Sequence, residues 1–462
     1  MSANENPSHL AGKPRGMGGG PSARDLSPSV NDANSGVSDA KPLGRYVFTS
    51  SNPMHWIALG EDLQASTLLC SPDYGAHFLE QNVETIVNHK GVVAVFFDEQ
   101  IEGFLDRVGV PICFPHASIR GAIEDKCEAV RLAQAAGVGL APTLLAPIHG
   151  YDHLCQLAEA AGLGPNLVVQ LPKGNSGRGT FVIRSLADYQ RVAGLLESAS
   201  ECRIMQELPH PQSVCIETVV TDAGAIIGIP ALDLVGLPEL TPNPEGWCGN
   251  VIGSGIIAPE IVRQIREHSL QIQEALKRRH PKFFGYSGDD YLLSPANDQI
   301  VYQEKNARCT GIMPLSNVAA LELGIPPLIV QHLLQYQGNG STIDVGSLNR
   351  RWSALEEVGV TSCLVVKQLD QRPSSFRSWP QPGLYSLDGH GLRYRQASTS
   401  VADLLNQPGQ AIWIPETMGY SIQPQDVLGR LLVRDRVTEG YALNAKGKAW
   451  VQAIRDAFLP AD

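Results

Sequence analysis

The sequence predicts a mixed α/β protein with several domains, and three observations lead to this prediction. From Arg45 onward, short apolar segments alternate with helix-length polar segments. From Leu167, strand signals dominate, with several turns between them. After about Asn339 the chain is β-rich again, and it closes on an amphipathic helix. A chain of 462 residues also exceeds what one hydrophobic core usually holds, so two or three domains are expected.

Bulk composition narrows the class of protein. Hydrophobic residues make up 43% and charged residues 18%, which is typical of a globular protein. The formal net charge of −11 argues against a nucleic-acid backbone or an anionic membrane surface as the main partner, although it allows a local basic pocket. Nine cysteines without a CxxC pair indicate reduced, mostly buried thiols. No signal segment opens the chain and no apolar run is long enough for a bilayer, so we expect a cytoplasmic protein.

The chain divides into four predicted regions. Residues 1–44 are rich in Ser, Gly, Asn, Asp and Pro, so we expect a disordered tail. Residues 45–120 form a small parallel α/β domain, which lacks a G-x-G-x-x-G run after its first strand. Residues 121–338 form the central domain, and residues 339–462 form a small C-terminal α+β domain. The strands predicted in the first and last domains are residues 45–51, 66–71, 92–98, 110–115, 361–369, 383–387 and 410–416.

Helices are predicted at residues 77–88 and within the segment 123–143. In the second of these, acidic residues open the helix and Gly137 ends it. The run "HGYDH" at residues 149–153 places two histidines four residues apart, but it lacks the glutamate of a zinc-protease helix. We interpret it as an exposed helix start.

The run "VVQLPKGNSGRG" at residues 168–179 joins a strand to a glycine-rich loop. Its glycines let successive backbone N–H groups approach phosphate oxygens, and Lys173 and Arg178 add positive charge. The loop lacks the Walker pattern G-x-x-x-x-G-K-[ST]. Taken alone, a flexible hairpin turn is the better interpretation.

The run "GYSGDDYLLSPANDQIVYQEKNARCTG" at residues 285–311 predicts a β-hairpin. Strand-like segments flank the turn-forming "SPANDQ". Because side chains alternate between the faces of a strand, Glu304, Asn306 and Arg308 project from one side. If the turn is centred near Asn297, Asp290 lies about opposite Glu304.

This hairpin face has the chemistry of a metal and phosphate site. Two carboxylates and an amide oxygen suit a hard cation such as Mg²⁺, and an arginine neutralises charge on a transferred phosphoryl group. The alternative is a solvated edge hairpin with alternating charges. We prefer the site, because the polar face lies within otherwise apolar strands.

Four features in this order resemble the ATP-grasp superfamily of carboxylate–amine ligases. They are a helix-borne Lys126, the glycine loop, "CRIMQELPHPQSVCIETVV" at residues 202–220, and the hairpin that ends in "EKNARCTG". The resemblance implies two antiparallel sheets that clamp a nucleotide, preceded by a pre-ATP-grasp domain. It implies ATP and Mg²⁺ as cofactors. The layout is most similar to the pheganomycin-type peptide ligases, which join peptides to an unusual amino acid in antibiotic biosynthesis.

The resemblance also implies roles for individual residues. Asp290, Glu304 and Asn306 match the metal ligands, although Asp289 leaves the choice of aspartate open. Arg308 matches the arginine that contacts the phosphates or the acyl phosphate. The residues that match the nucleotide-binding positions are Lys126, the loop residues Lys173, Gly174, Asn175, Ser176 and Gly177, the adenine-binding segment Gln206, Glu207 and Leu208, and Gln212 at the ribose, with Glu217 as another candidate.

One strand position departs from the family pattern. Many members carry a lysine where this chain has Gln170, which brings no charge to the phosphates. Lys173, just before the first glycine of the loop, is the candidate replacement in both phosphate binding and catalysis. The loop at residues 238–250, which contains Trp247, is either a linker or a cover for the acceptor site. Residues 372–383 are interpreted as a surface loop.

Together these features predict an ATP-dependent ligase that joins an amino acid or peptide to an amine through an acyl phosphate. One alternative is an ATP-grasp phosphotransferase without ligation. Another is a nucleotide-binding module without catalysis, which the uncharged Gln170 would favour. The expected partners are small-molecule substrates, and a homodimer is common among such ligases.

Overall fold

The fold combines one small parallel sheet with larger antiparallel sheets, as the sequence predicts. The computed structural model describes residues 45–51, 53–57, 66–71, 74–174, 179–294, 299–389, 391–397, 400–407, 409–416, 422–440 and 442–460. Within this part of the chain, the antiparallel sheets have four and ten strands, with two further pairs of short strands. The predicted fold class is therefore confirmed. The predicted tail at residues 1–44 lies outside the described residues.

The first sheet is parallel, with strand order β2-β1-β3. The predicted helix at residues 77–88 is broken at Asn82, which caps the end of one short helix and the start of the next. The predicted strand at residues 110–115 forms only a single parallel bridge, from Ile112 to Val92. Pro111 and Pro115 lie on either side of Ile112, and neither proline has a backbone N–H to donate to a sheet. The elements are β1 (Val47–Ser50), β2 (Thr67–Cys70), α1 (Ala76–Gln81), α2 (Val83–Ile86), β3 (Val92–Ala94), α3 (Glu99–Val108) and α4 (Ala117–Ile123).

The four-stranded sheet has the order β4-β7-β5-β6 and is antiparallel throughout. The helix that precedes it begins at Asp125, whose side chain accepts from two backbone N–H groups, and ends at Gly137 in the left-handed region, as predicted. The elements are α5 (Lys126–Ala136), β4 (Thr143–Ala146), α6 (Tyr151–Ala160), β5 (Leu167–Gln170), β6 (Thr180–Ile183), α7 (Leu186–Gln190), α8 (Ala193–Ser198) and β7 (Cys202–Gln206).

The ten-stranded sheet begins with the strands of the central region. These elements are β8 (Gln212–Thr221), β9 (Gly224–Val235), β10 (Trp247–Ile252), α9 (Pro259–Arg279), β11 (Gly285–Ser294) and β12 (Gln299–Asn306). The next elements are α10 (Met313–Leu323), α11 (Leu328–Tyr336), α12 (Val345–Trp352), β13 (Thr361–Lys367), β14 (Phe376–Ser378), β15 (Gly383–Asp388) and β16 (Gly391–Gln396). The chain closes with α13 (Val401–Leu405), β17 (Gln410–Pro415), β18 (Val427–Val433), β19 (Thr438–Glu439), β20 (Ala442–Leu443), α14 (Ala445–Asp456) and β21 (Leu459–Pro460).

This large sheet has the order β12-β11-β8-β9-β10-β13-β18-β17-β15-β16. It therefore continues through the predicted boundary near residue 338, because β10 pairs with β13. The division of the chain into domains remains a prediction.

Buried helices cover the large sheet and share a core with the first sheet. Phe48, Leu315, Leu333 and Leu432 belong to the same apolar cluster, although they come from distant parts of the chain. Among the described helices, none alone has the length and apolar character to cross a bilayer. The helices α10 and α11 reach that length and apolar character only when they are counted as one segment, and a 98° bend separates them. Most of their side chains are buried in the protein.

The cysteines agree with the predicted reduced state. All nine are free, and seven of them are buried. Cys155 is exposed and Cys70 is half-buried. Buried thiols of this kind behave as small apolar side chains.

Gly249 allows β10 to lie close to β13. Its φ is +142°, and a Cβ at this position would lie 2.2 Å from the carbonyl oxygen of Cys363. That oxygen belongs to the strand that continues the sheet into the C-terminal region. The join between the two parts of the sheet therefore requires a residue without a side chain.

We expect Gly249→Ala to lower the free energy of unfolding by about 2–4 kcal/mol, because it adds both backbone strain and a steric clash. Urea denaturation measures this change. Gly194→Ala is the control, since a Cβ there meets nothing within 4 Å and the position is helical. Equal effects of the two variants would contradict the close approach at Gly249.

Candidate functional site

The predicted hairpin is formed by β11 and β12, and Asp290 pairs with Glu304 as expected. The register shifts by one residue beyond this pair, since Tyr291 pairs with Tyr302. Gln303 is therefore the extra residue of a β-bulge. The bulge places Glu304, rather than Gln303, opposite Asp290. The predicted turn near residue 297 lies outside the described residues.

The two neighbouring aspartates lie on opposite faces of the hairpin. Asp289 and Lys305 are fully buried, with 2.9 Å between Oδ1 and Nζ. Gln273 on α9 donates to the other carboxylate oxygen of Asp289 at 2.9 Å. Asp290 shares the opposite face with Glu304. Of the two aspartates, the structure therefore brings Asp290 to the predicted site.

Five of the predicted residues form one connected group. Asn306 donates from Nδ2 to Asp290 Oδ2 at 2.8 Å, and its Oδ1 accepts from Arg308 Nη2 at 3.0 Å. Lys126, which is buried at the start of α5, forms an ion pair with Glu304. Sequence positions 126 and 304 are thus joined directly. The predicted helix lysine and hairpin face make a single site.

Electrostatics indicates that carboxyl groups are crowded together in this group. Burial raises the pKa of Asp290 well above its usual value, and the carboxylates of Glu304 and Asp233 raise it further. Burial acts to raise the pKa of Glu304 too, but Lys126 and then Arg308 outweigh burial, so the pKa is lowered. A bound cation would relieve the remaining repulsion.

Asp233 on β9 is an acidic member of this group that sequence reasoning missed. It accepts from Ser213 Oγ at 2.5 Å and from the side-chain amide of Asn250. Burial raises the pKa of Asp233 to about 6, although these two hydrogen bonds oppose the rise. The available signal was a single aspartate within the otherwise apolar strand "IIGIPALDLV".

The donor set fits Mg²⁺. Asp290 and Glu304 offer carboxylate oxygens and Asn306 offers an amide oxygen, which are hard ligands. Within the described ranges, His, Cys, Asp and Glu side chains form no group of three or more that could hold a metal by themselves. A cation here therefore needs Asn306 and further oxygens from water or phosphate, as Mg²⁺ usually does.

Arg308 connects the hairpin to the N-terminal region. Its Nε lies 3.5 Å from Glu124 Oε1, and its guanidinium lies 4.7 Å from the ring centre of Phe96, which is 46% exposed. The Arg308 side chain keeps 18% of its surface exposed. An arginine in this position can contact an anionic group that enters the site.

The glycine-rich run forms a loop between β5 and β6. Leu171 donates its N–H to Gly179 at 2.8 Å, which closes the base of the loop. Lys173 and Gly174 are exposed. Lys126 donates its N–H to Pro172 at 2.9 Å, so the loop starts beside the carboxylate group. The predicted loop residues Asn175, Ser176, Gly177 and Arg178 lie outside the described part of the chain.

The predicted adenine-binding segment connects the two large sheets. Gln206 and Glu207 donate their N–H groups to Pro142 at 3.0 Å and Asn166 at 2.9 Å. The carboxylate of Glu207 forms an ion pair with Arg184. The Glu207 side chain is thus already engaged. Leu208, which follows, is half-buried.

Gln212 lines a cavity of about 530 Å³ that Asp233 also lines. Glu217 does not line this cavity. It is fully buried and accepts from Tyr286 Oη at 2.5 Å and from Thr310 Oγ1 at 2.8 Å. This burial favours Gln212 over Glu217 as the ribose contact, because the carboxylate of Glu217 is enclosed in the protein core.

Trp247 lies beside the hairpin exit, although sequence alone allowed a plain linker. A Cβ at Gly311 would come within 2.5 Å of its indole ring. Two polar residues that sequence reasoning missed lie nearby. The guanidinium of Arg430 lies 5.7 Å from the centre of the indole, and its Nε lies 3.2 Å from Glu416 Oε2. The C-terminal region thus contributes charged groups next to the hairpin.

The histidines of "HGYDH" have a simple structural role. His149 and His153 stack with their ring centres 5.1 Å apart at the start of α6, and His149 is exposed. The predicted exposed helix start is confirmed.

Because Asp289 and Asp290 lie on different faces of the hairpin, replacing each by asparagine should change the free energy of unfolding differently. Asp289→Asn leaves the buried Lys305 ammonium without its counter-charge, so we expect a loss of about 3–5 kcal/mol in the free energy of unfolding. Asp290→Asn removes one of several crowded carboxylates and should leave that free energy unchanged or raise it. Urea denaturation of both variants measures the difference. A larger loss for Asp290→Asn would show that the faces are assigned the wrong way round.

Glu217 predicts a pH dependence of stability. Burial raises its pKa from 4.5 to about 7, although hydrogen bonds from Tyr286 and Thr310 oppose the rise. The folded protein therefore binds this proton more tightly than the unfolded chain does. The protonated carboxyl therefore stabilises the folded protein fully below about pH 4.5. This stabilisation is lost as the pH rises through about 7, so the free energy of unfolding falls by about 3 kcal/mol.

Glu217→Gln should remove this slope, which denaturation between pH 5 and 8 measures. Glu274→Gln, at an exposed position on α9, is the control and should keep the wild-type slope. If the profile of Glu217→Gln is parallel to that of wild type, Glu217 does not take up the proton.

Comparison with known proteins supports the fold. No protein-family model matches the chain, and no curated protein matches it in sequence. Its structure is similar to that of biotin carboxylase from Campylobacter jejuni, solved as a β-γ-ATP complex, with a TM-score of 0.60 and 13% identity. That match covers 90% of this chain and 92% of the other.

Two further solved structures agree. The biotin carboxylase domain of 2-oxoglutarate carboxylase from Hydrogenobacter thermophilus, a dimer with MgADP, ADP and bicarbonate, matches with a TM-score of 0.57 and 11% identity over 86% of this chain and 87% of the other. Carboxyaminoimidazole ribonucleotide synthase from Aspergillus clavatus, in complex with ATP, matches with a TM-score of 0.52 and 14% identity over 90% and 99%. The chain has the ATP-grasp fold.

Proposed function

We propose that this protein is an ATP- and Mg²⁺-dependent ligase that forms an amide or peptide bond through an acyl phosphate. The observation that supports it best is the face shared by Asp290, Glu304 and Asn306, with Lys126 and Arg308 beside it. This face combines hard metal ligands with two cations suited to phosphate. Structural neighbours that were solved with ATP, ADP or MgADP support the choice of cofactors.

The chemistry proceeds in two steps. The γ-phosphoryl group of ATP is transferred to a substrate carboxylate, which gives an acyl phosphate and ADP. An amine then attacks the acyl carbon, and phosphate leaves as the amide forms. Magnesium, when bound, supplies charge neutralisation between the phosphate oxygens.

The residues of this chain have separate roles in the proposal. Asp290, Glu304 and Asn306 hold the cation, and Arg308 stabilises charge on the transferred group. To the glycine-rich loop, which begins at Lys173 and Gly174, we assign the exclusion of water from the phosphates, so that the acyl phosphate meets an amine. Lys173, exposed at the start of this loop, adds a positive charge there.

The nucleotide base lies at the segment between the two sheets. We assign the adenine edge to the backbone of the segment Gln206, Glu207 and Leu208, with the N–H of Leu208 as the donor. The N–H groups of Gln206 and Glu207 and the carboxylate of Glu207 are already engaged. Gln212 faces the ribose from the cavity that it lines. Lys126 contacts the phosphates from the start of α5.

The finer assignment is a ligase that joins amino acids or peptides, as the pheganomycin-type enzymes do, in peptide natural-product biosynthesis. Trp247 and Arg430 lie next to the hairpin exit, where an acceptor would enter. By analogy with the dimeric carboxylase domain among the neighbours, we propose that the protein forms a homodimer.

The proposed function is tested by phosphate release with ATP, Mg²⁺ and paired amino-acid and peptide substrates, read out by mass spectrometry. Ligation gives a product that is lighter by one water than its two substrates combined. A product heavier by one phosphoryl group would indicate a phosphotransferase instead. Nucleotide binding without phosphate release across the panel would indicate a binding module.

Glu304→Gln should lower ADP formation by roughly 10²-fold or more while the protein stays folded, because a ligand charge is lost where negative charge must be neutralised. Circular dichroism checks the fold, and a coupled assay measures ADP. Glu274→Gln is the matched control, since it makes the same chemical change at an exposed position on α9. Wild-type turnover in Glu304→Gln would refute the assignment of the metal ligands.

A further inference from the structure

Arg203 is a fully buried arginine that connects the two sheets. It lies within β7 of the four-stranded sheet, with 0% exposure. Its Nη1 donates to the backbone carbonyl of Gln303 at 2.6 Å. Gln303 lies on β12, at the edge of the ten-stranded sheet. This hydrogen bond therefore joins the two halves of the fold beside the candidate site.

The carbonyl that accepts this hydrogen bond belongs to the β-bulge. Gln303 is the residue that the pairing of β11 with β12 leaves without a partner, immediately before Glu304. A bulge disrupts the ladder locally, so its backbone groups need other partners when they are buried. Arg203 is such a partner, one residue away from a proposed metal ligand.

The surroundings of Arg203 are otherwise poor in acceptors. Its register partner Gln170 accepts from the same Nη1 at 3.4 Å, and Nε and Nη2 have no hydrogen-bond partner within the described part of the chain. Burial lowers the pKa of Arg203 to about 10, and the charge of Glu304 is the first influence that opposes the lowering. The guanidinium is thus charged at neutral pH.

This arrangement gives a physical reason for the glutamine at position 170. The amide oxygen of Gln170 faces the guanidinium of Arg203, and its Nε2 donates to Thr180 at 3.1 Å. A lysine at this position would place a second cation against a buried cation, which is unfavourable at low dielectric. A neutral acceptor avoids this repulsion.

We propose that Arg203 is a positioning residue of the candidate metal site, which holds the bulge at Gln303 and thereby keeps Glu304 opposite Asp290. The inference rests on the proposed function, in which these two carboxylates bind the cation. Without the hydrogen bond from Arg203, the bulge loses its contact with β7, and the position of Glu304 relative to Asp290 is held less firmly. The cation is then bound less tightly, although no ligand has been removed.

The test is the binding of Mn²⁺ to the full-length protein in the presence of ADP, followed by the electron paramagnetic resonance signal of free Mn²⁺. Arg203→Met removes every donor while it keeps an unbranched apolar stem. We expect it to weaken Mn²⁺ binding about tenfold or more, as is typical for residues that orient metal ligands. ADP affinity without metal should change less than about threefold.

Arg266→Met is the matched control. Arg266 on α9 also donates to backbone carbonyls, at 2.6 Å to Ile227 and 2.9 Å to Asn349, and burial also lowers its pKa to about 10. Its partners belong to β9 and α12, away from the hairpin. This variant should lose stability but keep wild-type Mn²⁺ affinity. Equal Mn²⁺ affinities in the two variants would overturn the proposal.

Two further variants keep the test decisive if Arg203→Met does not fold. Arg203→Gln is shorter and neutral, so it buries no charge and cannot span to Gln303, and it should show the same loss of Mn²⁺ affinity. Arg203→Lys keeps a charged donor and should bind Mn²⁺ more tightly than Arg203→Gln. Wild-type affinity in Arg203→Gln would exclude the positioning role.

The outcome separates this inference from the proposed function. A wild-type protein that binds neither ADP nor Mn²⁺ would refute both. A wild-type protein that binds both, with an Arg203→Met variant that binds them equally well, would refute only the role of Arg203.

Discussion

The antiparallel pairing of β11 with β12 is the constraint on which the rest of the candidate site depends. It sends Asp289 and Lys305 into the core and holds Asp290 and Glu304 on the opposite face. Because side chains alternate along a strand, a slip of one residue would exchange these two sets. The buried ion pair makes such a slip costly, since it would separate the Lys305 ammonium from the Asp289 carboxylate. The polar core of the hairpin thus determines the register of its functional face.

The functional face itself is stabilised poorly by the protein alone. Asp233, Asp290 and Glu304 influence one another through their charges, while Lys126 is the cation in direct contact. Crowding of like charges in a partly buried place lowers stability. Proteins keep such arrangements where a ligand completes them, and functional sites are often less stable than the rest of the fold. The carboxyl groups that raise one another's pKa at this face would supply affinity for a cation.

The two antiparallel sheets are joined at the site by few polar contacts. Lys126 links α5 to β12, Arg203 links β7 to the bulge at Gln303, and residues 206–208 form the covalent connection. Each contact ends within two residues of the proposed metal ligands or at the proposed adenine edge. Relative movement of the sheets would therefore alter the metal and nucleotide positions together. In this structure, the contacts between the sheets and the geometry of the candidate site depend on the same side chains.

The sequence by itself determined the elements whose signals are local. The opening of α5 by acidic residues and its end at Gly137 are local signals, and the alternation of Glu304 and Asn306 follows from the period of a strand. The order of these motifs was enough to predict the ATP-grasp fold. The tertiary structure alone decided which aspartate shares a face with Glu304, and it showed where Asp233 and Arg203 lie. Those positions depend on the bulge and on contacts between residues about a hundred positions apart, which no local pattern encodes, because a side chain's partner across a sheet is chosen by the packing of the whole fold.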